Sequence, residues 1–197
     1  MNVPKDEKET FRVEAFSDAV YAIAITLLAL DLKVPTDARD NTELLQALIQ
    51  QWPMYFAFFS SFLVILIMWI NHHRLFTHIK RIDNTLMALN GLLLLGVTII
   101  PFPTRLFAEY LRHPAQNTAG LVLGGTFTVV AIIFNLLWRY ASHNHRLLDR
   151  NIPRETVNAI TRQYFFGPLL YFLATVLALF SVTASLAVHV FLAFYFA

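Results

Sequence analysis

The chain alternates between long apolar runs and short polar segments. A hydrocarbon core about 30 Å thick is crossed by about 20 residues of apolar helix. Runs of about that length occur six times in the 197-residue sequence. The pattern therefore predicts an all-α integral membrane protein, in which residues 1–197 form a single six-helix transmembrane domain. The predicted spans lie near residues 13–33, 52–71, 84–106, 119–140, 162–180 and 182–197.

Two of these boundaries depend on local features. Residues 163–197 form two helices only if a tight turn falls near Ser181 to Thr183, and otherwise they form one long tilted helix. In the third span, Pro101 and Pro103 predict a kink or the end of the helix, because proline has no backbone N–H group to donate.

The basic residues predict the orientation of the spans. With six spans and a cytoplasmic N-terminus, the inner segments carry eleven Lys and Arg residues and the outer segments four. Such an excess is typical of cytoplasmic loops. We therefore expect a multi-pass protein of the plasma membrane with both termini cytoplasmic. The inner residues are Lys5, Lys8, Arg12, Arg74, Lys80, Arg81, Arg139, Arg146, Arg150, Arg154 and Arg162, and the outer residues are Lys33, Arg39, Arg105 and Arg112.

The composition supports a membrane protein and excludes several other classes. Hydrophobic residues make up 57% and charged residues 14% of the chain, against roughly 45–50% and 25% in soluble domains. The net charge of +2 does not indicate a nucleic-acid partner, because the basic residues lie between apolar spans and form no continuous stripe. The sequence has no cysteine and no catalytic or metal-binding motif, so neither an enzyme nor a cofactor is expected.

Ser17 and Asp18 lie inside the start of the first span, where an ionised carboxylate costs about 3 kcal/mol. Such residues usually face protein or water and have a function. The end of the second span, on the same side of the membrane, can supply an indole, imidazole or guanidinium partner from Trp69, Asn71, His72, His73 and Arg74. The predicted network consists of Arg12, Phe16, Ser17, Asp18, Trp69, His72 and His73. In the alternative interpretation, Trp69 belongs to the interfacial aromatic belt, the histidines face the loop, and Asp18 extends to the interface.

The first span has a face of small residues. Ala15, Ala22 and Ala29 form a stripe, with Asp18 and Ile25 beside it. Small residues allow membrane helices to approach closely. We therefore expect this face to pack against other helices and Asp18 to point into the protein.

A face of bulky aliphatic residues lies on the other side of the same helix. Ile23, Leu27 and Leu30 recur along it, and Phe16 extends the row. The spacing alone does not distinguish a lipid-facing row, a core and the wall of a pore.

The run Arg12-x-x-x-Phe16-Ser17-Asp18 before an apolar helix, with Trp69 and His72-His73 closing the second span, resembles the transmembrane protein 175 family of potassium channels. A chain with one six-helix unit is similar to the prokaryotic members. The resemblance implies a homotetramer in which the first helices line a central pore, and aliphatic side chains form its constriction without a carbonyl filter. The positions that match are Ile23, Leu27 and Leu30, with Ile23 as the narrowest ring.

The resemblance also implies modest selectivity for K⁺, the permeant ion, because K⁺ is larger and more weakly hydrated than Na⁺ and crosses an apolar ring at lower cost. We expect Arg12, Ser17 and Asp18, with Trp69 and His72, to fix the tilt of the first helix and therefore the radius of the pore. Thr26 lies close enough to the row to contact a hydrated ion, or else bonds the carbonyl one turn back. Asp31 either concentrates cations at the outer mouth or is a solvated helix terminus.

A proton-coupled transporter that uses Asp18 with His72 and His73 is the main alternative, because an intramembrane carboxylate near histidines is typical of proton relays. The sequence lacks the paired broken helices of such transporters. His189, in the sixth span, is expected to be a packed histidine bonded to a neighbouring helix.

Overall fold

A computed structural model describes residues 5–196, and their side chains from residue 9 onward. Within this part of the chain there are eight α-helices, and a short 3₁₀ helix, Leu28–Asp31, extends the first of them. The helices are α1 (Lys5–Leu27), α2 (Asn41–Gln50), α3 (Trp52–His78), α4 (Asn84–Ile99), α5 (Pro101–Tyr110), α6 (Gln116–Ser142), α7 (Arg154–Leu177) and α8 (Val182–Phe196).

Four stretches are long enough and apolar enough to cross a membrane, which confirms a multi-pass protein: Glu9–Asp31, Trp52–His78, Asn84–Tyr110 and Gln116–His145. Helix α8 is apolar but has 15 residues, a length of about 22 Å. Helix α7 has 24 residues but begins with Arg154 and Glu155 and carries Arg162. Residues 163–196 divide into two helices, as the predicted turn near Ser181 requires, because α7 ends at Leu177 and α8 begins at Val182.

The third predicted span is kinked. Helix α4 ends at Ile99, and α5 begins at Pro101. The intervening Ile100 keeps helical dihedral angles, φ −51° and ψ −39°, so the axis bends without a loop. Proline at the first position of α5 is tolerated because its missing N–H group would have no partner in the first turn.

Helix α2 lies in the predicted outer loop and was not predicted. Asp40 caps it by accepting hydrogen bonds from the backbone N–H groups of Thr42 and Glu43, both at 2.8 Å. A capping aspartate of this kind is a standard start signal. The helix buries none of its residues, and its apolar side chains, Leu45 and Ile49 among them, remain exposed.

Helix α1 packs against α3 and α4 through one of its three faces. The buried face contains Ser17, Tyr21, Ala24 and Leu28. At 100° per residue, the alanine face and the aliphatic face each lie about 120° from this buried face. The prediction that the alanine face packs is therefore wrong within one chain, because Ala15, Ala22 and Ala29 are all exposed.

The loops that precede α4 and α7 hold each other at one end of the bundle. The carbonyl of Leu147 accepts hydrogen bonds from the backbone N–H groups of Lys80 and Arg81 at 2.9 and 3.1 Å. Thr10 of α1 donates its hydroxyl to the carbonyl of Lys80 at 3.3 Å. The start of α1 is thus bonded to the loop before α4, which is in turn bonded to the loop before α7.

Asp83 strengthens this pair of loops. Its carboxylate accepts from the Leu86 N–H group, the Tyr140 hydroxyl and the Arg146 guanidinium. Partial burial raises the pKa of Asp83, but these hydrogen bonds and the Arg146 charge outweigh it and lower the pKa below its ordinary value. A lowered pKa in the folded state stabilises the fold above the unfolded-state pKa of about 4, and that stabilisation is lost only at more acid pH.

Helices α6, α7 and α8 meet at a buried polar cluster. The Nε2 atom of His189 lies 3.3 Å from the hydroxyl of Thr175, and its Nδ1 atom lies 2.8 Å from the carbonyl oxygen of Ser185. Thr128 of α6 completes the cluster, 3.0 Å from Thr175. The expectation that His189 is a packed histidine bonded to a neighbouring helix is confirmed.

Gly124 allows this close approach, and its replacement is expected to destabilise the protein. A Cβ atom at Gly124 would lie 2.8 Å from Oγ1 of Thr175 and 3.0 Å from the His189 ring, whereas one at Gly125 meets nothing within 4 Å. We expect Gly124→Ala to lower the free energy of unfolding by roughly 1–3 kcal/mol through overpacking. Gly125→Ala is the control and should be neutral or stabilising, because alanine favours a helix. Thermal unfolding in detergent measures both, and equal melting temperatures would contradict the packing account.

Candidate pore helix and its supporting network

Asp18 is bound by the second long helix of the chain. The indole Nε1–H group of Trp69, on α3, donates a hydrogen bond of 2.8 Å to its Oδ1 atom. Asp18 nevertheless remains exposed, so the prediction that it points into the protein is only half right. One carboxylate oxygen is held by α3, and the side chain still reaches the surface of the single chain.

Ser17 is held by a second, fully buried connection. The hydroxyl of Ser17 donates to the carbonyl of Val13 at 2.8 Å and accepts from the amide Nδ2 of Asn90 at 2.9 Å. The Oδ1 atom of the same amide lies 2.9 Å from Nε2 of His72, which assigns the proton to Nε2. Ser17, His72 and Asn90 are 0%, 1% and 3% exposed. Buried polar groups require such partners, since leaving one unpaired costs about 1–3 kcal/mol.

Asn90 is the member of the network that the sequence reasoning missed. It lies on α4, in the run Leu86 to Val97, which is otherwise almost entirely apolar. A lone asparagine in such a run is a detectable signal, because an amide in an apolar helix needs a partner on another helix. The network therefore joins three helices, α1, α3 and α4, where the sequence indicated two.

The other predicted members have different surroundings. His73 is exposed and stacks on Trp69, with ring centroids 6.1 Å apart. Arg12 and Phe16 are also exposed, and they line an open cavity of about 660 Å³ between α1 and α4 together with Glu9. Among the described residues, no hydrogen bond from His73, Arg12 or Phe16 joins α1 to α3 or α4.

The aliphatic row of α1 points away from the rest of the chain. Ile23, Leu27 and Leu30 are 56%, 42% and 78% exposed, and Phe16, at the start of the row, is 64% exposed. The polar connections of Ser17 and Asp18 fix which way α1 faces, so they also fix the direction of this row.

The C-terminal end of the first membrane-spanning stretch is held by ion pairs. Asp31 lies 3.6 Å from the Arg105 guanidinium, which in turn lies 3.6 Å from Glu109. Lys33 approaches the same Glu109 carboxylate at 2.9 Å. Asp31 thus remains partly exposed beside an arginine, and both of its predicted roles, at the outer mouth or as a helix terminus, stay predictions. Thr26 is exposed, and its hydroxyl donates to the carbonyl of Ile23 at 2.9 Å, which matches the second of its two predicted roles.

This arrangement defines a multi-pass membrane protein whose first helix is anchored by polar groups and displays an unpacked aliphatic row. Residues 12–101 match the family model for the endosomal/lysosomal potassium channel TMEM175. The chain is 50% identical to a potassium channel of Chamaesiphon minutus over 98% of this chain and 95% of that protein. It is 43% identical to a potassium channel of Streptomyces collinus over 95% and 91% of the two chains.

The fold agrees with this sequence similarity. The crystal structure of a lysosomal potassium-selective channel TMEM175 homologue from Chamaesiphon minutus superposes with a TM-score of 0.87 and 48% identity, covering 96% of both chains. The chain therefore belongs to the TMEM175 family. This family consists of ion channels, not enzymes, and no cluster of three or more metal-ligating side chains occurs among the described residues.

The amide of Asn90 is expected to be the most sensitive point of the network. In Asn90→Leu, His72 keeps a buried N–H group without an acceptor, so the free energy of unfolding should fall by about 1–3 kcal/mol. Thr98→Val on the same helix is the control, because Thr98 is exposed and its hydroxyl bonds only its own helix. Thermal unfolding in detergent measures the difference.

A double variant separates the hydrogen bond from simple packing. In Asn90→Leu combined with His72→Phe, both polar partners are absent, so part of the lost stability should return. If the two losses simply add, the hydrogen bond between these residues contributes nothing to stability.

Proposed function

We propose that this protein is the subunit of a potassium-selective cation channel of modest selectivity. The observation that carries the proposal is the exposed row of Ile23, Leu27 and Leu30 on a helix whose orientation is fixed by buried polar contacts. The family membership supports conduction of K⁺. In this proposal the three side chains form the constriction, with Ile23 as its narrowest ring.

A pore lined by this row requires further copies of the chain, because the row points away from the helices of its own subunit. The exposed alanine face supports such an assembly, since small residues allow neighbouring first helices to approach closely. We infer a homotetramer around the first helices, the arrangement implied by the resemblance to single-repeat members of the family. The contact between Asp18 and Trp69 then holds each pore helix against its own outer wall.

The proposed topology has six spans in the plasma membrane, with both termini cytoplasmic. Helix α7 is about 36 Å long, enough for a span, and the shorter α8 is accommodated by local thinning of the bilayer. This orientation places the paired loops around Lys80 and Leu147 on the cytoplasmic side. It places Asp31 and Arg105 at the outer mouth.

Conduction follows from the chemistry of an apolar ring. A narrow aliphatic constriction excludes water, and an ion that passes must lose part of its hydration shell. That loss costs less for K⁺ than for the smaller, more strongly hydrated Na⁺. A small rotation or widening of α1 would let the ring fill with water, so the same side chains serve as the gate. Ser17 and Asp18, with Trp69 and His72, set the tilt on which the pore radius depends.

Replacing the proposed narrowest ring should change permeation directly. Ile23→Asn introduces an amide that solvates ions and water, so the K⁺ conductance should rise and the discrimination between K⁺ and Na⁺ should fall. Flux and reversal potential in liposomes with a K⁺ gradient measure both. Ile132→Asn on α6 is the control, because Ile132 is an exposed isoleucine outside the proposed pore. Unchanged currents and reversal potentials in Ile23→Asn would remove this residue from the constriction.

The same liposomes distinguish a channel from the proton-coupled transporter. A channel conducts K⁺ passively with no proton stoichiometry, whereas a coupled transporter moves substrate in response to a pH gradient. The described contacts favour the channel, because Asp18 is bound to Trp69 and His72 to Asn90. The carboxylate and the imidazole are thus each held by a group that cannot relay a proton at ordinary pH.

Asp18→Asn tests the supporting role of this carboxylate. The amide keeps the shape and an oxygen acceptor for Trp69 but loses the charge, and charge-assisted hydrogen bonds are about twice as strong as neutral ones. We expect fewer assembled tetramers or a lower open probability, with the K⁺/Na⁺ permeability ratio unchanged. Size-exclusion chromatography and single-channel recording measure these quantities. A variant that alters only selectivity would place Asp18 in the permeation path.

A further inference from the structure

Helices α7 and α8 leave an open groove of about 770 Å³ on the surface of the bundle, with no residue of α1 in its lining. Aromatic and aliphatic side chains line most of it, among them Phe166 and Leu170 of α7 and Phe191 of α8. The polar side chains of Arg162 and Gln163 lie at one end. The groove is thus apolar along its length and positively charged at one end.

The length of the groove matches one leaflet of a bilayer. Its lining on α7 runs from Ala159 to Leu170, about 16 Å of helix. Half of a hydrocarbon core of about 30 Å is about 15 Å. In the proposed topology α7 begins on the cytoplasmic side, so the groove covers the inner leaflet. Arg162 lies about one turn inside the cytoplasmic end of the groove, from which its long side chain reaches the level of the headgroups.

The positive charge at that end has no ion-pair partner among the described side chains. Arg162 is exposed and takes part in none of the ion pairs among residues 9–196. Arg162 is the cationic side chain in the lining of the groove, and the amide of Gln163 lies beside it. An exposed guanidinium at the headgroup end of an apolar groove is complementary to a phosphate attached to an acyl chain.

We propose that the groove between α7 and α8 binds one anionic phospholipid of the inner leaflet, with an acyl chain along Phe166, Leu170 and Phe191 and the phosphate at Arg162. A guanidinium binds phosphate oxygens through two parallel N–H bonds, which favours arginine at such a site. A zwitterionic lipid fits less well, because its ammonium group brings a second positive charge close to Arg162.

A second copy of the chain is a poorer occupant. Two copies that met through α7 and α8 would have to bring a carboxylate to Arg162, and Glu155 is the single acidic residue in these two helices. Glu155 does not line the groove. Such a contact would leave the arginines facing each other in an apolar environment, which is unfavourable.

Native mass spectrometry of the full-length protein in detergent tests the site. Phosphatidylglycerol and phosphatidylcholine with identical acyl chains are the probes. We expect the protein to retain phosphatidylglycerol preferentially, and Arg162→Gln to weaken its binding about tenfold without affecting phosphatidylcholine. Arg162→Lys should restore part of the preference. Arg154→Gln is the matched control, because Arg154 lies on the same helix outside the groove and its loss should have little effect.

Three results would overturn the proposal. If both lipids are retained equally, or if Arg162→Gln and Arg154→Gln lose phosphatidylglycerol to the same extent, the lipid is attracted to the basic surface in general and the groove is not a specific site. A change in the number of subunits in Leu170→Trp, which fills the groove, would instead assign the groove to a second copy. A decrease in retained phosphatidylglycerol with the same subunit number supports the lipid.

The proposal rests on the proposed topology but not on conduction, and the two fail separately. Lipid binding is measured on the purified protein without any ion gradient. Loss of the lipid preference with intact K⁺ flux would overturn only the lipid site. Absent flux with an intact lipid preference would overturn only the channel.

Discussion

The structure depends on one constraint, which is that the polar groups of the first helix must find partners inside an apolar bundle. Ser17 is fully buried, and Asp18 follows it directly in the sequence. One orientation of the helix therefore gives both side chains a hydrogen-bond partner. The amide of Asn90 satisfies the serine and His72 together, and the indole of Trp69 satisfies one oxygen of the aspartate. A rotation of α1 about its axis would break these contacts, and each unpaired buried group would cost about 1–3 kcal/mol.

The fixed orientation divides the helix into three faces with separate roles. The face around Tyr21 and Ala24 is buried against α3 and α4. The remaining two faces, one of alanines and one of aliphatic residues, stay free in the single chain. A helix that is packed on one side only and apolar all round needs further partners, either lipid or other copies. In the proposed tetramer the alanine face meets a neighbouring first helix and the row of Ile23 surrounds the pore.

Both ends of α1 are also held, by different forces. At the N-terminal end Thr10 bonds the loop of Lys80, which is joined to the loop of Leu147 by backbone hydrogen bonds. At the C-terminal end Asp31 pairs with Arg105 of α5, which follows the kink at Pro101. Exposed ion pairs commonly stabilise a protein by about 0–1 kcal/mol, and salt screens them. The hydrogen bonds among Ser17, Asn90 and His72 are buried and are not screened by solvent. The ion pairs at the Asp31 end are therefore the weaker of these connections.

The sequence by itself determined the properties that depend on composition and period. The apolar runs predicted a multi-pass helical protein, the turn near Ser181 divided the last two helices, and the spacing of Ile23, Leu27 and Leu30 placed them on one face. It could not determine which face packs, because alanine suits both a contact within the chain and one between chains. Neither could it find Asn90 as the partner of Ser17, 73 positions away in the chain, nor pair Asp31 with Arg105. Those contacts join residues far apart in sequence, and only the tertiary structure brings them within hydrogen-bonding distance.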